Sequence, residues 1–324
     1  MDGDFIEVPL YKLWKGSNRF AVRGRLRWGP RSDCGYNLCL WMTVLVPTVF
    51  YLVLPAPVVW KEVSPAIVIV TSSLALVCLI LFLLTTFSDP GYIPRKEIQV
   101  LLGIQDDIRS ILGIPSSNLV SEERAFYSSI SNGLELESEL DDRILLTDDL
   151  VAQGYKYCET CRIIRPPRAS HCSDCSNCCL RHDHHCPFVS NCVGHRNYVF
   201  FTSFITATCI LGLMVLFSVI LWMGKGNSSL GGDSLIVRVI GFAVGIPTGL
   251  LLLAGFSFLG YHLFLLCTGK TTREHIRGRN RPQGDPLTRP LAHSSILSSS
   301  FFSRPPRLYP LLSTVVRVPH RIAV

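Results

Sequence analysis

A chain of 324 residues that is 48% hydrophobic and 17% charged is too apolar for an ordinary water-soluble protein of this length. Its net charge of +7 sits beside apolar runs, which argues against a nucleic-acid binder and favours lipid headgroups. Composition and patterning together predict an α-helical multi-pass membrane protein.

Residues 1–37 form a basic lead-in with Lys12, Lys15, Arg19, Arg23, Arg25, Arg27 and Arg31. No signal peptide is expected, because Asp2, Asp4 and Glu7 precede any apolar run. Residues 38–87 hold two predicted spans, Leu38–Leu54 and Ala66–Phe87, measured against the roughly 20 apolar residues a spanning helix needs. The first is short and contains Pro47, but Trp41 and Tyr51 suit membrane interfaces. Residues 88–154 read as a linker that opens with Asp89-Pro90-Gly91. Its acidic run of Glu122, Glu123, Glu135, Glu137, Glu139, Asp141, Asp142, Asp148 and Asp149 is expected to be solvated, partly disordered and interrupted by short helices. Residues 155–197 are a cysteine-rich module of loops and hairpins. Residues 198–266 hold two further spans, Tyr198–Met223 and Leu235–Leu266, the last with Pro247 inside. The tail, 267–324, carries SSILSSSFFSRPPR and is expected to be mostly disordered. Lys61 and Lys225 are the lone basic residues of the short loops Pro55–Pro65 and Gly224–Ser234, whereas Lys270, Arg273, Arg277 and Arg279 follow the last span. By the positive-inside rule, both termini and the central loop face the cytosol.

Eight of the 13 cysteines fall between Cys158 and Cys192. In a cytosolic loop disulfides are rare, so the cluster reads as metal plus thiol chemistry. Cys158 and Cys161 are spaced as a zinc half-site; His171, Cys172, Cys175 and Cys178 follow, then Asp183, His184, His185, Cys186 and Cys192. A structural zinc takes four thiolate or imidazole ligands and leaves no position open. Two such sites need eight ligands, and the module offers more, so some residues are spare. Spacing leaves the pairing open. Cys34, Cys39, Cys78, Cys209 and Cys267 read as small apolar residues in or near spans. Cys179 reads as a spare thiol, and His182 and His195 as surface or packing residues.

The run Cys-x2-Cys-x9-His-Cys-x2-Cys-x2-Cys-x4-Asp-His-His-Cys-x5-Cys-x4-Asn-x3-Phe, from Cys158 to Phe201, resembles the signature of DHHC-type protein S-acyltransferases without a gap. Asp89-Pro90-Gly91 looks like that family's DPG motif and Thr271-Thr272-Arg273-Glu274 like its TTxE motif; YKLWKGSNRF resembles plant members. The resemblance spans about residues 8 to 274. It implies four transmembrane helices with a small cytosolic two-zinc module between helices 2 and 3. It implies one structural zinc on Cys158, Cys161, His171 and Cys178, and a second on Cys172, Cys175, His185 and Cys192. Cys186 would be the acylated nucleophile, His184 its base and Asp183 the group that orients His184. The neighbour alternation of an extended segment would set His184 and Cys186 on one face and His185 on the other. Arg165-Pro166-Pro167-Arg168 is either a contact for CoA phosphates or a solvated turn, and Asn197 and the TTxE segment pack around the site.

The implied reaction moves a long-chain acyl group, palmitoyl first among them, from acyl-CoA to cysteines of membrane-associated proteins exposed to the cytosol. The bilayer and acyl-CoA are the other expected partners, and no nucleic acid is. The implied location is the Golgi, the endoplasmic reticulum or the plasma membrane. A membrane-anchored RING-like ubiquitin ligase would need a separate closing CxxC pair after a longer gap, which is absent. A zinc adaptor without chemistry would have no need of the intact Asp183-His184-His185-Cys186 run.

Overall fold

The computed structural model describes residues 5–114, 142–229, 234–278 and 307–319. Strand β1 (Phe5–Pro9) leads into a one-turn helix (Leu10–Leu13) and a hairpin of β2 (Arg19–Ala21) and β3 (Leu26–Trp28). A 3-10 turn, Arg31–Asp33, feeds the first membrane helix, Cys34–Val53. The apolar stretch long enough to cross a membrane therefore begins at Arg31, earlier than its hydropathy edge at Leu38. The expected loop after it contains a helix, Pro55–Glu62, begun by Pro55, whose ring supplies a helical φ and whose missing N–H costs nothing at a first turn.

The second membrane helix, Pro65–Phe87, starts the same way, with Ser64 Oγ capping the amide of Ala66 at 3.2 Å. The third, Tyr198–Ser229, packs against both the second and the fourth, Ser234–Thr268. Small residues permit the close approach: a Cβ at Gly212 would lie 2.6 Å from Leu252 Cδ2 of the fourth helix. Outward side chains such as Leu250, Leu253 and Phe242 are exposed apolar groups, as lipid-facing positions should be.

After the second helix, Asp89 Oδ1 accepts from the amides of Gly91 and Tyr92 at 2.9 and 3.1 Å. Gly91 sits at φ +105°, which excludes other residues without strain. The turn delivers β4 (Tyr92–Ile93), followed by helices Lys96–Leu102 and Gln105–Leu112. Most of the acidic run falls in 115–141, outside the described residues. Asp142, read as solvated, is instead buried, because Lys96 Nζ and Arg109 Nη2 bond it at 2.7 and 2.6 Å. A 3-10 turn, Asp142–Leu145, and a short helix, Asp148–Ala152, lead to the cysteine-rich module.

The module is three hairpins. Strand β5 (Lys156–Cys158) pairs with β6 (Ile163–Arg165), β7 (Ser170–Cys172) with β8 (Asn177–Cys179), and β9 (His184–Cys186) with β10 (Asn191–Val193), all antiparallel. Strand β4 extends the middle hairpin on its β8 side.

The lead-in and the tail both dock on this module. Ser17 N donates to Cys175 O at 2.9 Å, and Asn177 Nδ2 donates to Asn18 Oδ1 at 2.8 Å. Arg27 does not face headgroups: it is buried, bonds Asp89 at 3.0 Å and Tyr309 at 2.5 Å, and lies over the ring of Tyr92. Part of the tail is ordered as well. Strand β11 (Val315–Pro319) pairs with β1, and Leu308, Tyr309 and Leu312 are buried, so burial and backbone pairing order residues that composition alone reads as disordered. Residues 279–306 lie outside those described.

Candidate metal centre and thiol site

The turns of the first two hairpins and one cross-strand pair in each of the last two carry the ligand candidates. Cys158 and Cys161 flank the turn of the first hairpin. His171 and Cys178 are direct partners across the middle one. These four residues offer ligand atoms that all lie within 4.8 Å of one another. His171 Nδ1 stands 3.6, 3.4 and 3.7 Å from the sulfurs of Cys158, Cys161 and Cys178. The second set repeats the plan one hairpin later. Cys172 and Cys175 bound the turn of the middle hairpin, and His185 and Cys192 are partners across the third, again within 4.8 Å. His185 Nδ1 is 3.4 and 3.7 Å from Cys175 and Cys192. Closed sets of three thiols and one imidazole fit structural zinc, so the two clusters are consistent with two zinc sites. The turns are tight: Arg162 and Ser176, each just after the second cysteine of a CxxC, adopt φ of +54° and +52°. Backbone of this kind persists where its surroundings over-determine it.

Asp183, His184 and Cys186 fall outside both sets. In β9, side chains alternate, so His185 and Cys192 share one face while His184 and Cys186 take the other. His184 Nδ1 is 2.7 Å from Asp183 Oδ2. Asp183 also accepts from the amide and the hydroxyl of Thr272, at 2.8 and 2.7 Å. Burial opposes its charge, but His184 and Thr272 hold the Asp183 carboxyl below the ordinary range. His184 is pushed up to about 9: its desolvation is outweighed by hydrogen bonds with Asp183 and Cys186. Burial likewise opposes ionisation of Cys186, yet the bond to His184 and the amides of Val189 and Phe188 bring its thiol below the ordinary value. Cys179 shows the contrast. It is fully buried against Pro90 O, and desolvation pushes its thiol well above the ordinary value.

Cys186 lies where the module meets the membrane helices. It packs in one apolar cluster with Phe82, Tyr198, Phe201 and Phe204, whereas the ligand cysteines belong to the module's own core. Phe201 stands edge-on to His184, ring centroids 5.3 Å apart. Beneath this cluster an apolar cavity of about 90 Å³ runs between the first, third and fourth helices, lined by Val44, Pro47, Cys209, Leu211, Leu252 and Gly255.

Other expectations fall as follows. Asn197 holds the entry to the third helix, donating to Cys192 O at 2.9 Å and accepting from Gly194 N at 2.9 Å. The TTxE segment forms a capping box of Thr271 and Glu274 on helix Thr272–Ile276. Glu274 accepts from Arg168 at 2.7 and 2.8 Å, and Arg168 also bonds Gly269 O. Arg168 is thus a tie between module and fourth helix rather than a solvated turn. His182 and His195 are buried packing residues. Phe188 is exposed, with Tyr36 edge-on at 5.7 Å.

Sequence reasoning missed Asp33, which bonds His185 Nε2 and Ser190 Oγ, each at 3.2 Å. Its one legible signal is an acidic residue placed between a basic lead-in and an apolar run. It also missed His262 of the fourth helix, which bonds the Tyr198 hydroxyl at 3.1 Å and lies 6.1 Å from the ring of His184.

A family model for the DHHC palmitoyltransferase domain matches residues 152–279. Probable protein S-acyltransferase 3 of Arabidopsis thaliana is 31% identical over 312 residues, covering 88% of this chain and 65% of that protein. Palmitoyltransferase ZDHHC9 of Homo sapiens is 31% identical over 297 residues, covering 88% and 72%. Palmitoyltransferase erf2 of Emericella nidulans is 29% identical, covering 91% and 46%. The chain spans between about half and three quarters of the length of these relatives.

Proposed function

Because the chain belongs to the DHHC palmitoyltransferase family, we propose that it transfers a long-chain acyl group, palmitoyl above all, from acyl-CoA to protein cysteines through a thioester on Cys186. One observation carries this reading. His184 and Cys186 take the face of β9 turned away from the metal ligands, at the junction with the membrane helices, and Asp183, just before the strand, bonds His184. The thiolate is the nucleophilic form of cysteine, and a neighbouring imidazole held by a carboxylate favours it.

The steps balance as two thioester exchanges. The Cys186 thiolate attacks the acyl-CoA carbonyl, the carbon–sulfur bond to CoA breaks, and the proton held on His184 leaves with the CoA thiol. A substrate cysteine then gives its proton to His184, attacks the acyl–Cys186 carbonyl and releases the Cys186 thiolate. One thioester replaces another each time, so no ATP is required, and the kinetics are ping-pong. Asp183, itself held by Thr272, fixes which nitrogen of His184 faces the thiol.

Two zinc ions, one on Cys158, Cys161, His171 and Cys178 and one on Cys172, Cys175, His185 and Cys192, would supply fold rather than chemistry, since both sets are closed. The fatty chain would lie along the helices toward the cavity below Cys186 while CoA stays in water. Residues 155–197 are then a cytosolic module, with both termini on the same side as the basic flanks require. Substrates are membrane-associated proteins with cytosolic cysteines on the Golgi, the endoplasmic reticulum or the plasma membrane.

Acyl-CoA labelling of the full chain tests this. Wild type acquires a hydroxylamine-sensitive label and Cys186→Ser does not, while both hold about two zinc ions. Equal labelling of Cys186→Ser removes it as the acyl carrier.

A further inference from the structure

Asp33 stands at the head of the first membrane helix, 152 residues from the ring it touches. It is 3% exposed, and one carboxylate oxygen, Oδ2, meets both His185 Nε2 and Ser190 Oγ at 3.2 Å. Ser32 Oγ approaches the other oxygen at 3.3 Å. The chain makes room for this carboxylate: a Cβ at Gly29 would come within 2.5 Å of Asp33 Oδ2 and 2.9 Å of Ser190 O. Gly29 N in turn donates to Ser190 O. Among the described residues no Lys or Arg pairs with Asp33. A buried carboxylate needs a partner, and the one placed here is the imidazole N–H that points away from the sulfurs. His185 Nδ1 faces the thiols and Nε2 faces the acid, so the two nitrogens are assigned by their surroundings.

We propose that Asp33 is a positioning residue for the second metal cluster: it accepts the Nε2–H of His185, fixes the tautomer that offers Nδ1 as ligand, and ties that ligand to the first membrane helix. The inference rests on the reading of His185 as a zinc ligand. Outer-shell carboxylates of this kind orient a ligating imidazole and raise its basicity. The tie has a second anchor on the same helix, where Asn37 Nδ2 donates to Phe188 O at 2.7 Å. The loop after Cys186 is therefore held from the membrane side at two points.

Zinc release to a chromogenic chelator, followed on the detergent-purified full chain, tests the proposal without any turnover. Wild type holds two zinc ions. In Asp33→Ala one of the two leaves about 10–100-fold more readily, the usual effect of losing an outer-shell partner. Asp33→Asn, whose amide oxygen still accepts, falls between. Ser190→Ala, which removes the hydroxyl that shares Oδ2 with His185, releases zinc like wild type. Wild-type release from Asp33→Ala overturns the proposal. So does equal lability in Ser190→Ala, which makes Asp33 a docking contact alone. If Asp33→Ala aggregates, Asp33→Asn decides: several-fold faster release supports the role, and unchanged release removes it. Cys192→Ser separates the two readings. If it retains both ions, the ligand set falls and this inference with it. If it loses one while the Asp33 variants behave as wild type, only the role of Asp33 falls.

Discussion

The two metal clusters share one plan and one apolar core, and differ in what else they touch. Each takes two cysteines from a hairpin turn and a His–Cys pair from across a neighbouring hairpin. The first, around Cys158 and Cys161, faces the apolar core residues Ile98, Ile108, Leu112 and Tyr155, and Lys96 N donates to Cys161 O at 3.0 Å. The second shares β9 with His184 and Cys186 and abuts Asp33 at the head of a membrane helix. The same ligand chemistry thus serves two ends: one cluster closes a core, and the other also aims a strand. Damage near the first should register as stability, and damage near the second as chemistry.

The sharpest way to break this contrast is to remove one ligand on each side. Cys192→Ser is expected to lose one zinc and all acyl-enzyme formation, whereas Cys158→Ser loses one zinc but keeps measurable labelling in the fraction that stays folded. Metal analysis and labelling on the same samples decide; equal labelling loss per folded chain erases the distinction. Next in size is Asp142→Ala, which strands Lys96 and leaves Arg109 only the exposed Asp106. Uncompensated buried charge costs about 3–5 kcal/mol, so the midpoint of thermal unfolding falls while labelling per folded molecule holds. A smaller effect is expected at the thiol site beside the second cluster. Thr272→Val removes the hydroxyl bond to Asp183 and leaves the amide bond. A hydrogen bond to a charged group is worth about 1.5–3 kcal/mol, hence roughly 10–100-fold slower acyl loading with zinc content and melting unchanged.

The smallest effect is a pH dependence. Burial opposes the charge of Glu274, but Arg168 and the capping contacts of Thr271 hold its carboxyl below the ordinary value. A carboxyl lowered on folding stabilises above its unfolded pKa, about 4.3. That contribution is lost as pH falls through the lower folded value. Glu274→Gln should therefore be less stable than wild type at neutral pH, with the gap closing below about pH 4. A gap that persists undiminished in acid shows that shape rather than charge joins this segment to the module.

Local spacing made the ligand candidates legible, because CxxC turns and the DHHC run are contiguous chemistry, while their division into two sets and a thiol site came from the family resemblance alone. The four helices were legible for a related reason: an apolar run of about 20 residues has few other uses. What stayed hidden was long-range pairing. Asp33 meets His185 across 152 positions, and Arg27 meets Tyr309 across 282. A charged residue near a span reads as topology until its partner is known, as Arg27 did, and one in an acidic run reads as solvated until its buried cations are known, as Asp142 did. Strand β11 was hidden in the same way, since its pairing partner lies at the opposite end of the chain.

The middle hairpin, β7–β8, has one further consequence. Its cross-strand pair His171 and Cys178 belongs to one cluster, and its turn cysteines Cys172 and Cys175 to the other. Ordering that hairpin is a cost common to both ions, so the first to bind leaves less disorder for the second to remove. Metal uptake is then positively cooperative, and by reciprocity loss of either ion loosens its neighbour. Chelation of one ion should therefore speed release of the other, and a ligand variant left with a single zinc should hold it less tightly than wild type does.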